Sequence, residues 1–187
     1  MKHLGTQNIE TARLLLRRFS AEDAPAIYKN WATDPKVVDR LSWELHKSPA
    51  DSEAMLGGWL AHYDQDEYYR WAITLKPDTE PIGNITVVKL ENDIRMVHIG
   101  YYVGSAWWGM GIASEALSAV IRFFFEEVGV NRIEARHDVR NPASGKVMEK
   151  CGMSLEGTKR QAEYAKGVLM DCAEYAILAE DYKKRKY

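Results

Sequence analysis

Cysteine is scarce in this sequence, which has two in 187 residues, Cys151 and Cys172. Two cysteines are too few for a disulfide framework, and they lack the His/Cys spacing of a zinc site. We therefore expect both thiols to be reduced, Cys151 to serve packing rather than nucleophilic catalysis, and no metal to be bound.

Long apolar runs and a strong charge of one sign are also missing. No stretch of ~18 uninterrupted apolar residues occurs, and residues 1–8 lack the apolar segment of a secretory signal. The 25 Lys and Arg residues nearly balance the 27 Asp and Glu residues, for a net charge of −2, so we expect neither nucleic acid nor membrane as a partner. The basic segment 183–186 is interpreted as a solvated tail. These absences favour a cytoplasmic protein.

The length and the hydrophobic periodicity predict one α+β domain spanning residues 1–187. We see no internal repeat, low-complexity segment or linker. The helical pattern is strongest over 112–128, and further helices are predicted after a capping box at 20–23 to about residue 31, over 51–63, and from an Asn cap at 141 to 152. Strands are predicted at 13–19, 68–75, 82–90, 94–103, 132–138, 154–157 and onward, and 168–178.

Short polar connections join the three central strands, and such connections suit hairpins, because a parallel crossover needs roughly a dozen residues or more. The middle of the sheet is therefore predicted to be antiparallel. The expected architecture is a mixed, mostly antiparallel sheet of six to seven strands flanked by about four helices.

The most informative segment is 100–115, with the sequence GYYVGSAWWGMGIASE, where a strand ends and the strongest helix begins. A helix N-terminus leaves its first N–H groups unpaired and carries partial positive charge, so it can hold a phosphate without basic side chains. Two common phosphate motifs do not fit. A Walker loop needs lysine where Met110 stands, and a dinucleotide fingerprint needs glycine at Ser114 within a βαβ unit.

A third phosphate-binding arrangement, a pyrophosphate loop within a mixed sheet, resembles the GNAT acetyltransferase superfamily, whose signature is Gln/Arg-x-x-Gly-x-Gly/Ala. Gly109 and Gly111 match this signature, whereas Ala106 departs from its first position. The branch most similar is that of the ribosomal-protein N-terminal acetyltransferases, from residue 11 to about residue 178. The matching segments are TARLLLR at 11–17, IGY at 99–101, WGxGxAxEAL at 108–117, NxxSxxVMEKCGM at 141–153, and Glu156-Gly157 followed by Asp171 and Tyr175.

This resemblance implies direct transfer of an acetyl group from acetyl-CoA to a primary amine. It implies that backbone groups around Tyr102 and Val103 hold the pantetheine arm and that Asn141 and Ser144 lie beside the pantetheine and sulfur. Ser144 would then donate a proton to the departing thiolate. Without the resemblance, its position favours a structural role, as a first-turn hydroxyl that stabilises the helix N-terminus. The N–H groups expected to hold the pyrophosphate belong to Trp108, Gly109, Met110, Gly111, Ile112 and Ala113.

The general base and the acceptor pocket are less constrained. His98 is the first hypothesis for the base, because it lies on the strand before the loop where relatives often carry glutamate, and imidazole titrates near ~6.5. A structural histidine, a water relay, Glu163 and Asp171 are the alternatives. Trp43 is predicted to line the acceptor pocket, with Tyr164 and Tyr175 on its other side.

The sequence leaves the acceptor open between a protein N-terminus, such as that of a ribosomal protein, and a small-molecule amine. It also leaves open whether the chain forms a homodimer. The rival hypothesis is a noncatalytic acyl-CoA-binding or sensing domain, which thioester turnover would distinguish from an enzyme.

Overall fold

Eight strands form one mixed sheet in the computed structural model, which describes residues 1–39 and 41–185. They are β1 (Ile9–Glu10), β2 (Leu14–Arg17), β3 (Arg70–Leu75), β4 (Pro81–Glu91), β5 (Met96–Val103), β6 (Arg132–Asp138), β7 (Ser154–Ala165) and β8 (Val168–Leu178). Their order is β1-β2-β3-β4-β5-β6-β8-β7, antiparallel throughout except between β5 and β6. The predicted mixed, mostly antiparallel sheet is confirmed, and the additional strand is the two-residue β1.

The helices are α1 (Ala24–Ile27), α2 (Pro35–Val38), α3 (Pro49–Leu60), α4 (Ile112–Phe123), α5 (Pro142–Lys150) and α6 (Ala179–Arg185). π-helical turns extend α1 over Tyr28–Ala32 and α4 over Phe124–Val128. The four helices predicted from the sequence are α1, α3, α4 and α5, whereas α2 and α6 were not predicted. Residues 183–185 of the basic segment end α6, and Lys186 lies outside the described residues. No helix in the described ranges is long and apolar enough to cross a membrane.

Local side chains fix where the early helices begin. Ser20 and Asp23 form the predicted capping box at the start of a 3₁₀ turn, Ala21–Asp23, that leads into α1, and Ser48 and Asp51 form a second box before α3. A capping box satisfies two N–H groups that a helix leaves unpaired at its start. The second box explains why α3 begins at Pro49 rather than at residue 51.

Helices cover both faces of the sheet. We call the face that packs against α4 and α5 the α4 face, and the opposite one, which packs against α1 and α3, the α1 face. Side chains alternate along a strand, so Trp71 contributes to the α4 face and its neighbour Ala72 to the α1 face. On the α4 face, Trp71 stacks on Tyr69 at 5.9 Å between ring centroids, and Phe124 meets Tyr69 edge-on at 4.9 Å. This aromatic cluster anchors α4 to the sheet.

The parallel pair of strands separates after three aligned residues. Residues 96–98 of β5 align with 132–134 of β6, beyond which β5 stays paired with β4 and β6 with β8. Val88 forms a bulge in β4 opposite His98 and Ile99, and a bulge increases local strand twist. The strands leave a wedge between residues 99–103 and 135–138, at whose edge Gly100, Tyr101 and Tyr102 become partly exposed.

Candidate active site

A glycine-rich loop joins β5 to α4 at the open end of the wedge. A 3₁₀ turn over Ser105–Trp107 starts it, and the Trp108 N–H donates to the Ser105 carbonyl. Gly109 and Gly111 then take left-handed conformations, with φ of 77° and 76°, which glycine adopts without the strain of a Cβ. The loop thereby turns the chain into the N-terminus of α4.

The N–H groups that remain available belong to residues 109–113. None of the N–H groups of residues 109–111 donates to a backbone carbonyl in the described structure, and those of Ile112 and Ala113 lie in the first turn of α4, where no intrahelical partner exists. The positive end of the helix dipole adds to the attraction for an anion. The Trp108 N–H is already hydrogen-bonded, so five of the six N–H groups predicted to hold a phosphate are available for one.

Arg13 fastens this loop to the edge of the sheet, a role that sequence reasoning missed. Its Nη1 donates to the Met110 carbonyl at 3.0 Å, and its Nε donates to Glu115 Oε2 at 2.7 Å. Thr11 Oγ1 donates to Glu115 Oε1 at 2.6 Å. Burial acts to raise the pKa of Glu115, but the hydrogen bonds from Thr11 and Arg13 outweigh this effect. The pKa of Glu115 is therefore lowered. The sequence signal for Arg13 was its place in the family-matching segment 11–17, but the sequence assigned no function to that segment.

Backbone groups of β5 face the wedge at alternate residues. The Gly104 N–H donates to the Ile82 carbonyl on β4 at 2.9 Å, and successive residues direct their N–H and C=O groups to opposite sides of a strand. The polar backbone atoms of Tyr101 and Val103 therefore face the wedge, whereas those of Tyr102 face β4. Of the two residues predicted to contact the pantetheine arm, Val103 therefore directs its backbone groups to the wedge and Tyr102 does not. Trp108 Nε1 donates to the Val103 carbonyl at 2.8 Å.

The first turn of α5 lies on the α4 face beside the wedge. Ser144 is partly exposed there, and its Oγ lies 3.0 Å from the Tyr101 hydroxyl of β5. Asn141 occupies the N-cap position, but its side chain makes no capping hydrogen bond, so the predicted cap is wrong in that detail. The α5 start is held instead by the Asn141 N–H, which donates to the Asp138 carbonyl at 2.7 Å. The Asn141 side chain is therefore not used to hold the start of α5.

His98 lies on the α1 face at the point where the strands diverge. It is 9% exposed, and its Nδ1 is 3.7 Å from Glu134 Oε2 on β6. Burial, together with the charge of Arg136, lowers the pKa of His98, against the opposing charges of Glu174 and Glu134. The imidazole is therefore neutral at neutral pH and able to accept a proton. Sequence reasoning missed Glu134 and Glu174, which join His98 only through the pairing of β6 with β5 and β8.

The two alternative carboxylates have other partners. Asp171 Oδ1 accepts a hydrogen bond from the Gln161 N–H at 2.8 Å, which holds an irregular stretch of β7. Glu163 Oε2 lies 3.3 Å from Arg136 Nη2, on the same charged surface that borders His98. Of the two, Glu163 is the one paired with an arginine whose charge also acts on His98.

Aromatic rings line the α1 face further along β5 from His98. Tyr102 packs between Trp31 and Trp43, with ring centroids 6.0 and 6.3 Å away, and alternation along β5 places it on the same face as His98. Burial raises the pKa of Tyr102 to about 12, so its hydroxyl stays protonated. Trp43 therefore lies beside Tyr102 on the face that carries His98, and its role at the acceptor site stays a prediction.

Tyr164 and Tyr175 do not join that aromatic group. Tyr175 is on the α4 face, where its hydroxyl donates to Glu149 Oε1 at 3.2 Å. The prediction that it lines the acceptor pocket opposite Trp43 does not fit this placement, because the pairing of β8 with β6 sets its direction. Tyr164 is 69% exposed near the end of the β7–β8 hairpin. Lys166 in the turn of that hairpin donates from Nζ to the Val38 carbonyl at 2.6 Å, which brings the hairpin against α2.

Comparison with known proteins identifies this arrangement. The model of the acetyltransferase (GNAT) domain family matches residues 13–154, a span that contains the glycine loop, His98 and Ser144. The chain belongs to the GNAT family. This membership confirms the resemblance predicted from the sequence.

Relatives of known sequence and structure agree with the assignment. The Uncharacterized N-acetyltransferase YoaA of Bacillus subtilis (strain 168) is 32% identical over 170 residues, which are 91% of this chain and 96% of that protein. The Ribosomal-protein-serine acetyltransferase of Escherichia coli (strain K12) is 32% identical over 142 residues, 75% of this chain and 78% of that protein. The structure of RimL, a ribosomal L7/L12 alpha-N-protein acetyltransferase in complex with coenzyme A, has a TM-score of 0.81 at 23% identity, covering 92% of this chain and 98% of that chain. This structure shows the shared fold.

As a GNAT protein, the chain is an acyl-CoA-dependent N-acetyltransferase. The mixed sheet also separates it from the nucleotide-binding classes considered above, because a dinucleotide fold places its glycine loop in a mostly parallel sheet built from successive βαβ units. Here β5, α4 and β6 form one parallel crossover, joined along three residues, and the other neighbours of these two strands, β4 and β8, are antiparallel to them. The glycine loop therefore belongs to a GNAT site and not to a Rossmann site.

Proposed function

We propose that this enzyme transfers the acetyl group of acetyl-CoA to a primary amine that enters from the α1 face. The observation that carries the proposal is the placement of His98 and Ser144 on opposite faces of the sheet at the same wedge. A base on one face and a hydroxyl donor on the other suit a reaction in which an amine loses a proton and a sulfur gains one.

The described residues fit coenzyme A at two places. The free N–H groups of residues 109–113, at the positive end of α4, suit a diphosphate, and a Cβ built on Gly109 would meet nothing within 4 Å, so the loop is open to a ligand. The polar backbone atoms of Tyr101 and Val103 suit the amide groups of a pantetheine arm. When bound, acetyl-CoA supplies an acetyl group activated as a thioester.

Each side chain has a defined task under this proposal. His98, neutral because burial lowers its pKa, accepts the proton of the acceptor ammonium, so that the amine is nucleophilic. As the C–N bond forms and the C–S bond breaks, Ser144 Oγ gives its proton to the departing sulfur. The attacking nitrogen releases its second proton to solvent, and solvent returns a proton to Ser144 Oγ. Trp43 and Tyr102 exclude water from the acceptor side and border the group that carries the amine.

We further propose a protein N-terminus as the acceptor. The support is the relative from Escherichia coli (strain K12), whose name is Ribosomal-protein-serine acetyltransferase. An α-amino group ionises near ~7.7–8.0, well below lysine at ~10.4, so a base of modest strength such as His98 suits an α-amine better than a lysine side chain. The aromatic border at Trp43 accommodates the side chains that follow the amine.

An acceptor screen tests this proposal. Peptides beginning with Ser, Ala or Thr, the same peptides with a blocked α-amine but an internal lysine, and a set of diamines would be incubated with acetyl-CoA. Free thiol release and product mass would be followed. We expect α-amine peptides to be acetylated fastest. Acetylation of the diamines alone would show that the acceptor is a small-molecule amine and not a protein N-terminus. Tight acetyl-CoA binding with no turnover on any amine would favour the noncatalytic alternative.

A further inference from the structure

We propose that Tyr101 is a positioning residue that directs the Ser144 hydroxyl and supports it while its proton is donated. The inference rests on the proposed function, since it requires Ser144 to face the departing sulfur. Tyr101 would act through Ser144 and would not itself touch the reacting atoms.

The geometry comes from the meeting of β5 with α5. Alternation along β5 turns Tyr101 toward the α4 face, where α5 brings Ser144 across from it. The Tyr101 hydroxyl lies 3.0 Å from the Ser144 carbonyl oxygen, to which it donates, and also 3.0 Å from Ser144 Oγ. A tyrosine hydroxyl has one hydrogen, yet two acceptors on one residue lie at the same distance.

Two arrangements of these hydrogens follow. In the first, Tyr101 donates to the Ser144 carbonyl and Ser144 Oγ–H donates to the Tyr101 oxygen, so every hydrogen is used. In the second, Ser144 Oγ–H turns toward the wedge and Tyr101 donates to Ser144 Oγ. The second arrangement stabilises negative charge that develops on Oγ, because linked hydrogen bonds polarise one another. Exchange between them needs only rotation of two hydroxyl groups.

Tyr101 does not give up its own proton in this scheme. Burial raises the pKa of Tyr101, and the nearby Cys151 and Tyr175 act in the same direction, with the Ser144 hydrogen bond opposing them. A phenolate is thus disfavoured at this site. The bond that breaks is Oγ–H of Ser144, the bond that forms is S–H, and Oγ is reprotonated from solvent while Tyr101 remains neutral.

Binding measurements test the inference without turnover. Calorimetry would compare coenzyme A with desulfo-coenzyme A at about pH 7 and about pH 9.5, which bracket the ~8.5 pKa of an ordinary thiol. A hydroxyl that donates to the sulfur favours the thiolate, so the affinity of the wild type for coenzyme A should rise with pH relative to the desulfo compound. Tyr101→Phe should reduce this gain about threefold to tenfold, the size of one hydrogen bond between neutral groups, and leave desulfo-coenzyme A binding unchanged.

A double-mutant cycle supplies the second readout. In the Ser144→Ala background, adding Tyr101→Phe should change neither the pH-dependent gain nor kcat, because the residue through which Tyr101 acts is gone. Tyr69→Phe is the matched control, since it also removes a buried tyrosine hydroxyl, one that accepts the Leu4 N–H at 3.1 Å on another part of the sheet. Its kinetic constants should equal those of the wild type.

Three results have distinct meanings. Equal losses of affinity for coenzyme A and its desulfo form in Tyr101→Phe would overturn the inference, because Tyr101 would then only shape the wall of the wedge. A Tyr101→Phe effect that persists in full without Ser144 would also overturn it. If the wild type binds neither compound, the proposed function itself fails.

Discussion

At the scale of single residues, the chemistry depends on groups whose surroundings differ across the sheet. His98 is buried among Glu134, Glu174 and Arg136 on the α1 face, whereas Ser144 is partly exposed on the α4 face. Under the proposed function, this separation gives His98 the acceptor end of the transfer and Ser144 the thioester end, because the sheet lies between the two side chains.

His98→Ala should lower kcat most near neutral pH. The wild-type rate should fall as pH drops through the lowered pKa of His98, below ~6.5, because the protonated ring can no longer accept a proton. The variant should recover as pH rises, since solution then supplies neutral amine; positioned bases contribute roughly 10²–10⁴-fold. A pH–rate profile from steady-state kinetics is the measurement. An unchanged profile would remove His98 as the base and make Glu163 the next residue to test.

Gly109→Ala should weaken acetyl-CoA binding and destabilise the free protein. The free structure has room for a Cβ at this position, so the cost comes from the left-handed backbone, about 1–2 kcal/mol for an L-residue. Gly58→Ala is the matched control, because Gly58 lies within α3 with nothing within 4 Å of its Cβ and should gain about 0.5–1 kcal/mol. Urea unfolding and calorimetry would measure both effects. Normal acetyl-CoA affinity in Gly109→Ala would contradict the assigned loop function.

At the scale of elements, α4 joins the fold to the cofactor site. Its C-terminal end is held in the aromatic cluster of Tyr69, Trp71 and Phe124, while its N-terminal end is tied to the strand edge by Arg13 and Glu115. The first turn, which presents the N–H groups, is therefore fixed from both ends.

Glu115→Gln should test this attachment. Loss of the charged acceptor of the Thr11 and Arg13 hydrogen bonds should cost about 1–2 kcal/mol at neutral pH. The pKa of Glu115 is lowered in the folded protein, so its contribution is fully present above the unfolded value of ~4.3 and is lost as pH falls through the folded pKa. Urea unfolding at about pH 7 and about pH 4 should show the difference shrinking. Glu53→Gln, at an exposed position of α3, should show little change at either pH.

At the scale of the whole molecule, ligand binding should stabilise the fold. Any ligand that binds only the folded state adds RT ln(1 + [L]/Kd), about 2.7 kcal/mol at a concentration of one hundred times Kd. Acetyl-CoA should therefore raise Tm in a thermal denaturation assay, and ATP and NAD should raise it less. A larger shift with ATP or NAD would contradict the cofactor assignment.

Local patterns allowed much of this molecule to be predicted. The apolar periodicity of 112–128 predicted α4 and its continuation, and the glycines at 109 and 111 predicted the loop, because both signals lie within a few residues. Contacts between distant residues could not be predicted in this way. Arg13 reaches the Met110 carbonyl 97 residues along the chain, and Tyr175 faces the α4 side because of strand register. The one-residue bulge at Val88, opposite the point where the wedge begins, is likewise marked by no periodicity.

The short join between β5 and β6 also has a mechanical consequence. With three aligned residue pairs, we expect it to act as a hinge between two panels of sheet, β1–β5 and β6–β8. Helix α4 packs against the first panel, α5 packs against the second, and the two helices pack against each other across the hinge. A ligand held between the panels stiffens this hinge. Amide hydrogen exchange at Tyr101 and Val103 should therefore slow when coenzyme A binds, and the whole sheet should then resist deformation as one plate.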